Sequence, residues 1–269
     1  MLRSELLTAT AHPHPAGHDC GQWSGRLNRD VIAVGDGTRE LPWLTMVLAT
    51  LLVAPALARP AARMWVIVFV AALALWLGMW TLPALWPGQR WLGERWNWSG
   101  SLLALSGTLW IGTLLVRRGG LTWREMGFTW AQQPGSILPA TGVAAAALLM
   151  QVLLTISGRY APAAVSSETW LYQTTLPGLV EETIFRGVLL ALLDRAFPVR
   201  SLVLGAPFGW GGVVVTVGFL LLHPLTATSL LAVLPPAVLY LWLRARTGSL
   251  ALPVLVHNSW NVLAYVTGR

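Results

Sequence analysis

Eight apolar stretches fill most of this chain, and each is close to the length that crosses a lipid bilayer. They cover residues 41–58, 64–86, 101–116, 137–156, 175–197, 205–223, 229–243 and 249–266. About 20 helical residues, rising ~1.5 Å each, cross a hydrocarbon core of about 30 Å. The first and seventh stretches are short, and each holds two prolines. The expected fold class is therefore all-α: a polytopic integral membrane bundle of about eight transmembrane helices.

Composition excludes an ordinary soluble domain. Only 11% of the 269 residues are charged and 55% are hydrophobic, whereas soluble domains carry roughly 25% charged residues. Mean hydropathy is +0.61. The formal charge of +7 does not imply nucleic acid, because the arginines cluster at the ends of apolar stretches, where positive flanks set topology. All 18 basic residues are arginine, which fits the codon usage of a GC-rich genome. Sixteen tryptophans suit the headgroup region. The expected location is the membrane of a prokaryotic cell, with the lipid bilayer as a constant partner.

Three regions are expected. Residues 1–40 form a polar tail, expected to be disordered. Its His12, His14, His18 and Cys20 match no standard metal-ligand spacing. Residues 41–132 hold the first membrane helices and an amphipathic interfacial segment. In that segment Leu121, Trp123, Met126 and Phe128 could form the apolar side of a short surface helix. A tryptophan-rich loop spans 86–98, and 158–173 reads as a loop or a partly re-entrant segment. Residues 133–269 form the third region, a second membrane domain.

Ionisable residues are concentrated late in the chain. Stretches one to four contain no Asp, Glu, Arg or His, while the later ones hold Glu181, Glu182, Arg186, His223 and His257. Asp194 and Arg195 stand at the far end of the fifth. A charge at a bilayer centre costs about 2.5–3.5 kcal/mol on insertion scales, so such residues mark a site. Glu182 and Arg186 are four apart and can pair on one helix face. Glu181 points about 100° away, towards a cavity. His223 ends the sixth stretch before Pro224. His257 and Asn261 share a face of the eighth. If consecutive spans alternate in direction, the start of five and the later parts of six and eight reach the same leaflet. The polar residues then converge at one depth.

Three short motifs carry a family resemblance. Glu181-Glu182-Thr183-Ile184-Phe185-Arg186 resembles the E-E-x-x-x-R signature of the CPBP family (CAAX proteases and bacteriocin-processing enzymes; ABI family). Phe219 to His223 resembles its F-x-x-x-H motif, and His257 to Asn261 its H-x-x-x-N motif. The order is the family's order, and the similarity covers roughly residues 133–266. It implies an intramembrane glutamic endopeptidase like the type II CAAX prenyl endopeptidases. Glu181 with His223 would activate a water, and His257 with Asn261 would stabilise the oxyanion. Glu182, Arg186 and Phe219 would support them.

No cofactor is expected. The alternative is a zinc-dependent CAAX-type metalloprotease, in which Glu181, His223 and His257 hold the metal, although the H-E-x-x-H motif is absent. A non-catalytic immunity, scaffold or transport protein is the alternative of another class, but no inverted repeat speaks for a transporter. The expected partner is a peptide or membrane-protein substrate, such as a leader peptide, a pheromone precursor or a protein tail. Orientation stays open. Loops after spans one, three, five and seven hold nine arginines, and the other side holds four, or eight with the tail.

Overall fold

The computed structural model describes residues 41–85, 96–157, 165–198 and 200–266. The tail at 1–40, with its three histidines and Cys20, lies outside the described residues. So do 86–95 of the tryptophan-rich loop and 158–164.

Among the described residues the regular elements are helices apart from one small hairpin. The elements are α1 (Leu41–Val53), α2 (Pro60–Thr81), α3 (Trp98–Arg117), α4 (Ile137–Ser157), α5 (Ser167–Glu182) and α6 (Leu190–Ala196). There follow β1 (Arg200–Val203), β2 (Ala206–Gly209), α7 (Trp210–Leu220), α8 (Ala227–Thr247) and α9 (Ala251–Val266). A 3-10 segment, Ala54–Ala58, extends α1. A π-helical segment, Thr183–Leu189, joins α5 to α6 without a break.

Local chemistry sets the helix starts. Pro60 opens α2, where its missing N–H costs nothing. Asn97 caps α3 by accepting from the Gly100 N–H at 3.0 Å. Thr226 caps α8 by accepting from the Ser229 N–H at 3.1 Å.

The structure corrects three expectations. Helix α5 starts at Ser167, so the later part of 158–173 is helix rather than loop. The polar residues there are a cap. Ser166 Oγ accepts from the Thr169 N–H at 3.2 Å. Glu168 stands in the first turn, where the helix dipole favours it, and accepts from the Trp96 N–H and from Trp98 Nε1, each at 3.2 Å.

The segment expected as a surface helix around 121–128 is instead a run of turns. Leu121 and Met126 are buried in the core rather than laid on a surface. Glu125 Oε2 closes the turn by accepting from the Thr122 N–H at 2.8 Å. Gly127 then reverses the chain at φ +79, and the Arg244 guanidinium occupies the space that a side chain would need.

The sixth apolar stretch is not one long helix. It begins as an antiparallel hairpin in which Arg200 pairs Gly209 and Val203 pairs Ala206. Its two-residue turn places Leu204 at φ 48 and Gly205 at φ 74, the positive-φ pair that suits the twist of a hairpin. Gly209 is extended, and α7 is only 11 residues long. By length and composition, Pro60–Thr81 and Trp98–Arg117 are long and apolar enough to cross a membrane.

One continuous apolar core joins α1, α2, α3, α5, the π segment, α6, α7 and α8. Aromatic contacts fix the π segment within it. Trp76 meets Phe185 edge-on at 5.6 Å, and Phe185 meets Phe219 edge-on at 5.7 Å. Such pairs contribute about 0.5–1.5 kcal/mol beyond the area they bury. They tie α2, the π segment and α7 into one frame, which α9 closes from the side of α5 and α8.

Candidate active site

The polar cluster sits where α5 passes into the π segment. Glu182 and Arg186 are fully buried and pair at 3.3 Å between Oε1 and Nη1. Burial makes this pair demanding, because each charge has lost its water and needs several partners. Arg186 finds two more. Its Nη2 donates to the Ala237 carbonyl at 3.1 Å, and its guanidinium lies 4.2 Å from the centre of the Phe219 ring.

His257 comes from α9 and stands between the two glutamates. Its Nδ1 is 2.8 Å from Glu182 Oε1. Its Nε2 is 3.9 Å from Glu181 Oε2, beyond a hydrogen bond but within reach of one bridging water. Tyr240 of α8 stacks on the imidazole at 4.7 Å and 14°, and Phe219 meets it edge-on at 6.0 Å. The ring is therefore held by two aromatic neighbours and at one nitrogen, with Nε2 facing Glu181.

His223 stands just beyond the end of α7. Its Nδ1 donates to the Phe219 carbonyl at 3.0 Å. A carbonyl only accepts, so Nδ1 carries the proton, and in the neutral ring Nε2 keeps its lone pair. Phe219 packs against both imidazoles, 5.0 Å from that of His223. Asn261 lies half-buried one turn after His257. The structure thus brings Glu181, Glu182, Arg186, Phe219, His223 and His257 to one place, with Asn261 a turn away on α9.

The cluster is not fully satisfied. Glu181 Oε2, Glu182 Oε2 and Arg186 Nε are buried without a hydrogen-bond partner among the described residues. Leaving a buried polar atom unpaired costs about 1–3 kcal/mol, and more for a charged group. A cluster of such atoms marks a place for water or a polar ligand. Glu181 differs from its neighbour in one respect: its side chain keeps 24% of its exposure, whereas Glu182 keeps none.

Sequence reasoning missed three residues that build this geometry. Asn258 lies off the His257–Asn261 face, yet it clamps α9 to α5. Its Oδ1 accepts from the Gly178 N–H at 2.7 Å, and its Nδ2 donates to the Thr175 carbonyl at 3.3 Å. Gly178 makes this approach possible, since a methyl there would lie 2.7 Å from both Asn258 Oδ1 and the Val254 carbonyl oxygen. Tyr240 supports His257. Arg244 holds the π segment by donating to the Arg186 carbonyl at 3.1 Å and to the Glu125 carbonyl at 2.7 Å. A polar side chain next to His257, a lone tyrosine in the seventh apolar stretch and an arginine at its end were the available signals.

Among the described residues no three His, Cys, Asp or Glu side chains converge on a point where they could hold a metal. Glu182, outside the expected zinc trio, takes His257 Nδ1 and leaves Nε2 facing Glu181.

Residues 164–263 match the family model described as Type II CAAX prenyl endopeptidase Rce1-like. All seven site residues lie within the match, which bears out the resemblance read from the three motifs. Comparison with curated proteins and with solved structures gave no match.

Proposed function

We propose that this chain is a membrane-embedded endopeptidase that hydrolyses peptide bonds through a water activated by Glu181, without a metal ion. The observation that carries this reading is the gap between Glu181 Oε2 and His257 Nε2, 3.9 Å across. A water about 2.8 Å from each atom fits it. The likeness of residues 164–263 to the type II CAAX prenyl endopeptidase Rce1-like family model makes peptide hydrolysis the expected reaction class.

The chemistry follows from the partners. Glu181 takes a proton from the water as its oxygen attacks the peptide carbonyl carbon. The lone pair of His223 Nε2 accepts the water's second hydrogen and orients the attack. Glu182 takes the Nδ1–H of His257, so the ring donates from Nε2 only as the imidazolium. In that form it joins Asn261 in donating to the oxygen that becomes an oxyanion, the kind of contribution that is often the largest in acyl transfer. Glu181 then hands its proton to the departing amine nitrogen, and the C–N bond breaks. Glu182, Arg186 and Phe219 do no chemistry. They fix His257 and the turn that carries Glu181.

The membrane reading rests on apolar surface. Leu51, Met64, Leu138, Leu231 and Leu255 are each more than half exposed on their helices, an arrangement that suits lipid better than water. We extend it to the bundle of about eight spans, with the shorter helices completing the set. A substrate would be a membrane-protein tail or an amphipathic peptide that reaches the cluster from the lipid side.

The test is cleavage of a fluorogenic peptide by the purified protein and by its Glu181→Ala and His223→Ala variants. Both variants should lose activity while keeping the wild-type unfolding temperature. Undiminished cleavage by both would sink the mechanism. Loss of cleavage on chelation, restored by zinc, would replace the metal-free route with the zinc one.

A further inference from the structure

Away from the glutamates, at the other end of α6, lies a cavity of about 410 Å³. Its walls come from the turns around residue 125, the end of α6, the hairpin and the end of α8. Four arginines line it, Arg124, Arg195, Arg200 and Arg244, against two carboxylates, Glu125 and Asp194. The pairing leaves a surplus of positive charge. Arg195 pairs with Glu125, and Arg200 pairs with Asp194 at 3.2 Å. Arg244 spends its donors on two backbone carbonyls, which do not neutralise it. Arg124 makes no ion pair among the described residues.

We infer that this cavity is a binding site for a phosphate group, and that its natural source is the headgroup of an anionic lipid. Guanidinium groups match phosphate oxygens in shape and charge, and a group of them around one concave site is what phosphate selects. The surroundings favour a lipid over free phosphate. The hairpin that supplies Arg200 carries Leu202 and Leu204 at its tip, 78% and 83% exposed. Trp65 lies 5.8 Å from the Arg195 guanidinium, and tryptophan beside arginine is the signature of the headgroup level. Basic pockets between membrane helices at that level take lipid phosphates. The cavity also lies on the side where the loops after spans one, three, five and seven place nine arginines. The lipid source rests on the membrane reading above, while the phosphate site rests on the cavity alone.

The experiment titrates the purified full chain in detergent with phosphatidylglycerol, with phosphatidylcholine and with inorganic phosphate at constant ionic strength. Bound lipid is read by native mass spectrometry and stabilisation by the unfolding temperature. Phosphatidylglycerol should bind saturably and raise the unfolding temperature, and Arg124→Gln should weaken it about tenfold. Arg200→Gln should weaken it similarly. Arg124→Gln removes no ion pair, so its folding is not at stake, and unchanged peptide cleavage would keep the two sites separate. Stabilisation by inorganic phosphate that excludes the lipid would keep the site and assign it to the free anion. Equal binding of the two lipids would overturn the anionic-lipid source, and undiminished phosphatidylglycerol binding by Arg124→Gln would overturn the site itself, whatever the protease assay shows.

Discussion

The continuous α5–α6 rod carries charge at two places that are built on opposite principles. At the glutamate end the charges are buried and held by a neighbouring imidazole and two aromatic rings, and three polar atoms are left without partners. At the arginine end the ion pairs are partly open to solvent, and both carboxylates are matched. Burial without full satisfaction stores free energy that a water or a substrate can release. Exposure with both carboxylates paired stores little. The contrast separates a place suited to chemistry from a place suited to recognition.

The largest expected effect is on chemistry. Glu181→Gln should lower the cleavage rate by about 10³-fold, within the range for losing a positioned general base, while unfolding in detergent stays close to wild type. A large loss of stability would mean that Glu181 is structural like its neighbour and would erase the contrast. Next comes Glu182→Gln, which leaves Arg186 as a buried charge without its counter-ion. It should cost about 3–5 kcal/mol of stability, read from denaturant or thermal unfolding. Activity should fall with it, because His257 loses the group that fixes its Nδ1.

Gly178→Ala sharpens the comparison from the side of packing. The added methyl pushes α9 away from α5, at a cost of about 1–3 kcal/mol. The catalytic rate should fall more than KM rises, since His257 and Asn261 ride on the displaced helix. A wild-type rate would show that the 2.7 Å approach has no role in placing them.

The smallest effect is expected at the arginine end. Burial pushes the Glu125 carboxyl up, but the Thr122 hydroxyl and N–H and the Arg195 guanidinium outweigh it and hold the group below its ordinary 4.5. A depressed carboxylate contributes stability above its unfolded pKa and loses it as the pH falls through its folded one. Glu125→Gln should therefore cost about 0.2–1 kcal/mol at neutral pH, as for other exposed pairs. The gap to wild type should close as the pH is taken well below 4.5. A gap that stays constant with pH would assign the effect to packing.

Much of this arrangement was legible in the chain because hydrophobic length and helical spacing are local properties. The ends of α2, α3, α4 and α8 fall within a few residues of the apolar stretches. The Glu182–Arg186 pair follows from four-residue spacing even though the π segment intervenes. What escaped was set by contacts between distant segments. Ser166 and Glu168 read as loop residues until Trp96 and Trp98 arrive to complete the cap. Met126 reads as surface until Gly127 and Arg244 fold it inward. The hairpin at 200–209 escaped because its turn puts a leucine, rather than Asn or Asp, at positive φ. Asn258 was visible beside His257, but only the close packing of Gly178 reveals its use.

The π-helical segment has a consequence for how this site could arise and be lost. A π turn holds one residue more than an α turn, and one residue is about 100° of helical rotation. Thr183–Leu189 therefore acts as a phase setting between the half of the rod that presents Glu181 and the half that is anchored by α6. Substitutions adjust the chemistry of the acidic pair. A single-residue deletion within 183–189 would instead rotate the pair away from His257 by about a quarter turn and keep every other residue. The register of the acidic pair against His257 is thus carried by a length, which changes by insertion and deletion, as much as by the identity of any side chain.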